Sequence, residues 1–329
     1  MGLGLKEAIH YTAVLHDKKT NSLNLPENHY QPGFIAVLAA YINHHRIKEE
    51  QFFLAESGDL EAYLKAINIH EALWGQDRYT QKRVNVATNY SLVTALTNVE
   101  SVDIATGSIN SCIRRLTFPE GRVGDYPKGI TDLFHVVGEL HDNVWSHGKS
   151  TGFSFAQRNA VPYTNKQEYY IEFSLADCGK GFLRELQRVN IKGIASHRDA
   201  IEWCIQEGNS SKHADLQDDW AQQIPSDFMG GSMFGAKVAV REKVNNHQGL
   251  GLAHLMKLVS TYNGELQLAT GNVCLEVTGN AMRYTDLPSE WPGVAISCRF
   301  KIHELAVDNN NNEDADAELL DIMRELGGE

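Results

Sequence analysis

The 329-residue chain has five cysteines, Cys112, Cys178, Cys204, Cys274 and Cys298, an odd number with no two in a CxxC pair. That spacing argues against a disulfide framework or a cysteine zinc site and fits a reducing compartment. No apolar run approaches the roughly 20 residues that a bilayer span requires. The opening MGLGLKEAIHYTAVLHDKK lacks the basic, apolar, small order of a secretory leader. A cytoplasmic protein is expected. No stripe of Lys or Arg marks a nucleic-acid footprint, and the net charge is −12, so direct binding of DNA or RNA is not expected. There is no HExxH, no GxxxxGK[ST] and no GxGxxG. Metalloprotease, P-loop and Rossmann sites are therefore unsupported.

What is present is ordinary for a folded globular chain: 42% hydrophobic and 22% charged residues. The length suits two domains, or one large domain with an appendage. Charge is uneven. Residues 308–329 hold eight acids against the single base Arg324, leaving about −5 on the other 307 residues. The run Asn309 to Asn312 reads as a linker. Beyond it Ala317, Leu319, Leu320, Met323 and Leu326 could line one side of a short helix. The tail suits a basic partner or serves solubility.

At the N-terminal end, ahead of a polar stretch near 76–84, the pattern reads as strand, turn, helix, strand, helix, an α/β layout. Phe34, Val37, Leu38, Tyr41 and Ile42 take the spacing of a buried helix face, QFFLAES reads as a strand, and DLEAYLKAIN resumes helical spacing. His44 and His45 fall in the helix pattern without partners. The polar stretch separates this segment from the rest.

Three later segments carry chemistry. In LFHVVGELHDNVWSHGKS (133–150), Glu139, Asn143 and His147 share one helix face at ~100° per residue. An amide oxygen there can ligate magnesium, and the carboxylate can orient or deprotonate an attacking hydroxyl. The same residues also suit the solvated face of an ordinary amphipathic helix. YYIEFSLADCGKGF (169–182) reads as a strand running into Asp177, Cys178, Gly179, Lys180 and Gly181. Its spaced glycines let backbone approach a flat ring, while an aspartate accepts from an exocyclic amine. In NNHQGLGLAHLMKLVSTYNGELQL (245–268), Gly249 and Gly251 open a helix whose free N–H groups suit phosphate oxygens.

Taken in order, ELHDN, DCGKG, QGLGLAHL, NGELQLATG and PGVAISCRFKI resemble the GHKL ATP-binding fold. Gyrase, the ninety-kilodalton heat-shock chaperones, histidine kinases and mismatch-repair ATPases share that fold. The resemblance covers residues 85–304, with a long lid over 182–248 and an acidic linker and short helix over 305–329. The fold class it implies is α/β: a C-terminal GHKL (Bergerat) α/β sandwich. The segment 1–78 resembles a smaller STAS α/β domain, although the turn Tyr30-Gln31-Pro32-Gly33 lacks the serine of phosphorylated antagonists.

The resemblance further implies ATP and Mg2+ as cofactors. Asn143 would be the magnesium ligand and Asp177 the adenine reader. Gly179, Lys180 and Gly181 would lie under the ring, with His147 also in the pocket. Gly249, Leu250, Gly251 and Leu252 would cradle the phosphates, and Glu139 would be the general base. Lys149, Lys212, Lys237, Arg241 and Lys243 are candidates for phosphate contact, and Met229 to Gly235 suggests a flexible cover. The expected function is a magnesium-dependent ATPase acting as a regulatory switch with a protein partner. Alternatives are a serine kinase of the anti-sigma type or a module that uses ATP as a conformational ligand. Homodimers are common in the family, but no interface is specified here.

Overall fold

A helix that is apolar all round has to be covered all round, and the run from Phe34 to Ile42 is such a helix. In a computed structural model the chain is described over residues 2–55, 58–144, 150–161, 168–206, 209 and 251–307. Outside those residues lie His147, Gly249, Leu250, the five phosphate-contact cations, the cover from Met229 to Gly235 and the acidic tail. The first elements are α1 (Leu5–Leu15), β1 (His16–Asp17), β2 (Ser22–Leu25), α2 (Pro32–His44), β3 (Phe52–Leu54), α3 (Gly58–Ala66) and α4 (Ile69–Trp74). Strand β2 pairs antiparallel with β1 and parallel with β3. Helix α2 starts with Pro32, which needs no N–H at that position, and every residue from Pro32 to Ile42 is buried.

The expected strand, turn, helix, strand and helix are present as β2, the turn before Pro32, α2, β3 and α3, but the chain opens with a helix ahead of them. Glu7 accepts from the Gly4 N–H at 2.9 Å, and Leu5, Ala8, Ile9 and Thr12 fall on its buried side. That reach from the third helical residue to the cap is half of a capping box. His45 is not without partners. Its ring lies 4.2 Å from the Tyr41 ring and 5.0 Å from the His16 ring, centroid to centroid. Burial first, then neighbouring His44, His16 and Lys18, pushes its imidazole down to about 4.

The larger sheet contains β4 (Thr94–Leu96), β5 (Gly152–Ala160), β6 (Tyr169–Asp177), β7 (Glu265–Thr278) and β8 (Ala281–Lys301). Its order is β4-β5-β6-β8-β7, antiparallel throughout. One face packs under α5 (Val99–Thr117), α6 (Lys128–Asn143) and the helix Gly251–Thr261. Helices α1 and α2 cover the other face. The described residues are thus mixed α/β with two sheets, and the N-terminal segment shares a core with the larger sheet. After β6 the segment expected as lid begins as two packed helices, α7 (Gly181–Arg188) and α8 (His197–Cys204), which lie against β7 and β8. Among the described residues no helix is long and apolar enough to cross a membrane.

Strand alternation sorts the two faces. Ile171, Phe173 and Leu175 point to the α5/α6 core, while Glu172 and Ser174 point under α2 and are buried with it. Polar groups shut in this way need partners. Glu172 Oε1 accepts from the Gly33 N–H at 3.1 Å and from Ser297 Oγ at 2.8 Å. Ser174 Oγ donates to Pro32 O at 2.9 Å. On the helical side His141, fully buried, bridges Thr106 Oγ1 (2.9 Å) and Ser154 Oγ (2.8 Å). Burial pushes its imidazole down to about 3, so it stays neutral.

Glu172 therefore fastens the start of α2 to the sheet, although burial raises its carboxyl above the ordinary value. Replacing it with alanine strands two donors and opens a cavity, a loss of about 3 kcal/mol. Glu172→Gln keeps an acceptor oxygen and should cost about 1 kcal/mol. Denaturant titration of both variants checks this. Equal losses would show that the two hydrogen bonds are not what holds α2.

Candidate functional site

Strand β6 is buried from Ile171 through Asp177, and it ends by shutting a carboxylate away from water. Asp177 is 5% exposed. Its Oδ1 accepts from the Gly179 N–H at 2.7 Å and from Ser150 Oγ at 3.4 Å. The Val294 N–H also donates to this carboxyl, yet loss of water outweighs all three donors, and burial pushes it up to about 6. Gly293 of β8 presses on the same turn. A Cβ there would overlap the Asp177 carbonyl oxygen and stand 2.6 Å from both Asp177 Oδ1 and Gly179 N. Only a residue with no side chain permits that approach.

Thr270 of β7, fully buried, donates to Gly293 O at 2.8 Å. Gly181, at φ +66°, starts α7 beside this pair. A Cβ on Gly181 would lie 2.9 Å from Thr270 Oγ1. Lys180 precedes α7 and is half-buried. The Cys178 thiol donates to Ala40 O of α2 at 3.6 Å, and burial pushes it well above its ordinary value. A thiol so placed is chemically quiet.

Helix α6 brings the second set of groups. Its buried side, with Ile130, Leu133, Val136, Val137 and Leu140, fixes the rotation of the helix. Glu139 and Asn143 then fall one turn apart, both half-buried. Gly251 packs directly against them: its Cβ would be 2.9 Å from Glu139 Cβ and 3.6 Å from Asn143 Nδ2. One turn further along the same helix, His254 Nδ1 lies 3.2 Å from Glu139 Oε2. Leu252 sends its side chain into the core, so only its backbone is left for a ligand.

The two sets meet at one end of the sheet. Val144 follows Asn143 and is buried, and its Cγ1 lies 2.7 Å from where a Gly152 Cβ would be. Gly152 is the residue opposite Asp177 in the β5–β6 ladder. A continuous path therefore runs from Gly251 through Glu139 and Asn143 to Val144, Gly152 and Asp177. Among the described residues no group of three or more His, Cys, Asp or Glu could hold a metal. Gly251 closes on Glu139 through Cβ and Oε2 and on Asn143 through Nδ2, and an amide oxygen and a carboxylate are the hard donors that magnesium prefers.

Sequence reasoning missed Ser150, Thr270, Gly293 and His254. A signal for one of them existed. Thr270-Gly271 breaks a strand pattern, and the β7–β8 register shifts between Ala269 and Gly271 and again before Val273, as glycine within a strand often marks. Away from this cluster, a groove of about 430 Å³ opens on the α1/α2 side, among residues that include Glu172, Glu265, Glu276, Arg283 and Arg299. Its arginines are already paired, Arg299 with Glu265 and Arg283 with Glu276, and it holds none of the candidate residues. No protein-family model, curated protein or solved structure matches the chain.

The raised Asp177 carboxyl has a consequence for stability. The folded state binds its proton more tightly than the unfolded chain between pH 3.8 and about 6. Its contribution is full below pH 3.8 and is lost as pH rises through 6. Asp177→Asn is neutral throughout and keeps Oδ1. It should make the ligand-free protein more stable than wild type at pH 7 by about 2–3 kcal/mol, with the gain vanishing below about pH 4. Urea titrations at pH 4 and 7 measure this; a variant less stable at pH 7 would contradict it.

Proposed function

We propose that this chain is an ATP-binding protein of the GHKL type that binds ATP with Mg2+ and hydrolyses it as a regulatory switch. In this reading the antiparallel sheet with α5, α6 and the Gly251 helix is the GHKL sandwich, and the N-terminal segment is a STAS-like regulatory layer. One observation carries the proposal: three segments distant in sequence, α6, the turn after β6 and the glycine-led helix, converge on one end of the sheet. Asp177 supplies an acceptor for an adenine amine, and Gly179, Gly181 and Gly293 beside it carry no side chain to keep a ring away. Asn143 would hold magnesium, which when bound offsets phosphate charge. Glu139 stands one turn back along α6, where it can take a proton from water.

The phosphoryl acceptor decides between hydrolysis and a serine kinase of the anti-sigma type. Glu139 serves as base in either case, because positioning and electrostatics carry most phosphoryl transfer. Hydrolysis is preferred here because Glu139 needs only a water to act on, whereas a kinase also needs a docked protein.

Titration calorimetry with Mg·ATP should give saturable heat in the wild type, and Asp177→Asn should weaken binding by about 10–100-fold. Glu139→Ala should still bind but lose phosphate release by about 10²–10⁴-fold. Label from the γ-phosphate found on protein, not in solution, would turn the assignment to the kinase. No heat with Mg·ATP would overturn the nucleotide reading itself.

A further inference from the structure

Glu139 makes a contact that its proposed role does not require. His254 lies on the exposed side of the glycine-led helix, with its side chain 43% accessible against 12% for Glu139. Its Nδ1 is 3.2 Å from Glu139 Oε2. A carboxylate can only accept, so the proton of this hydrogen bond sits on Nδ1. Three residues earlier on the same helix, Gly251 packs against Glu139 Cβ. The Glu139 side chain is thus gripped at its base by Gly251 and at one oxygen by His254.

We infer that His254 is a positioning residue for Glu139: its Nδ1–H holds one carboxylate oxygen, fixing the rotamer in which Glu139 acts as base. The inference rests on the reading of this site as a hydrolytic nucleotide pocket. Its physical ground is that a glutamate has three side-chain torsions, and a base must sit within about a hydrogen-bond length of the proton it takes. A shifted rotamer takes the acting oxygen out of line, and misplacement by about 1 Å can cost a hundredfold in rate. Because His254 acts through Glu139, its loss should leave nucleotide affinity alone.

The test compares His254→Leu with His254→Asn, whose amide N–H stands close to the position of Nδ1. In the full chain His254→Leu should lower kcat for Mg·ATP about 10–100-fold. Affinity for the magnesium complex of a non-hydrolysable ATP analogue should change less than about twofold, since a residue that acts through Glu139 alters turnover and not binding. His254→Asn should recover most of the rate. Independently of turnover, the 15N spectrum of His254 in the ligand-free protein should show the Nδ1-protonated tautomer, and Glu139→Ala should abolish that signature. Equal rate losses in both variants, an affinity that falls in step with kcat, or an Nε2-protonated tautomer in the wild type would each overturn the inference. A wild type that binds Mg·ATP but never turns it over overturns the hydrolytic reading and the role of His254 with it. A wild type that keeps the Nδ1 signature and binds no nucleotide overturns the pocket reading instead.

Discussion

A carboxylate buried at the end of a sheet that is covered on both faces is the constraint on which the rest of the molecule depends. Asp177 is held there by the Gly179 N–H and Ser150, and water is kept out by Gly293 on the neighbouring strand. Burying an ionisable acid without a counter-charge is unfavourable, and the rise of its carboxyl to about 6 reports that cost. Proteins tolerate such groups mainly at functional positions. In the proposed pocket part of the cost is recovered when an adenine amine adds a further donor to those of Gly179, Val294 and Ser150.

The second cover over the sheet explains how the turn stays dry. Helix α2 lies across β5, β6 and β8, joined at its start to Glu172 and Ser174 and near its end to Cys178. Cys178 is the neighbour of Asp177, so any shift of α2 along the sheet has to disturb the turn after β6. If the N-terminal segment carries a regulatory signal, this contact is a physical route by which it reaches the site. On the helical side the bridge Thr106–His141–Ser154, with His141 and Ser154 fully buried, fixes α6 against β5, which sets where Glu139 and Asn143 stand.

Much of this was legible in the chain, and the failures have specific causes. Strand β6, the helix from Gly251 and the α2 helix follow from apolar spacing, because their patterns match one period over many residues. Glu139 and Asn143 share a face by helix geometry alone. Helix α1 was not legible, since its cap works through a glutamate reaching back to a glycine. The polarity of Glu172 and Ser174 suggests a wet face, yet α2 covers it. Which face of a strand is dry depends on what packs there, and local alternation does not contain that information. His254, Thr270 and Gly293 belong to the site through contacts across 23 to 116 positions, which no local motif encodes.

The most direct measurement follows the Asp177 carboxyl carbon by NMR as pH is varied, without and with Mg·ATP. An apparent pKa near 6 is expected in the ligand-free protein and a lower value once nucleotide is bound, because a donor from the ring favours the charged form. A carboxyl that titrates near its ordinary 3.8, or one that nucleotide leaves unmoved, would contradict it.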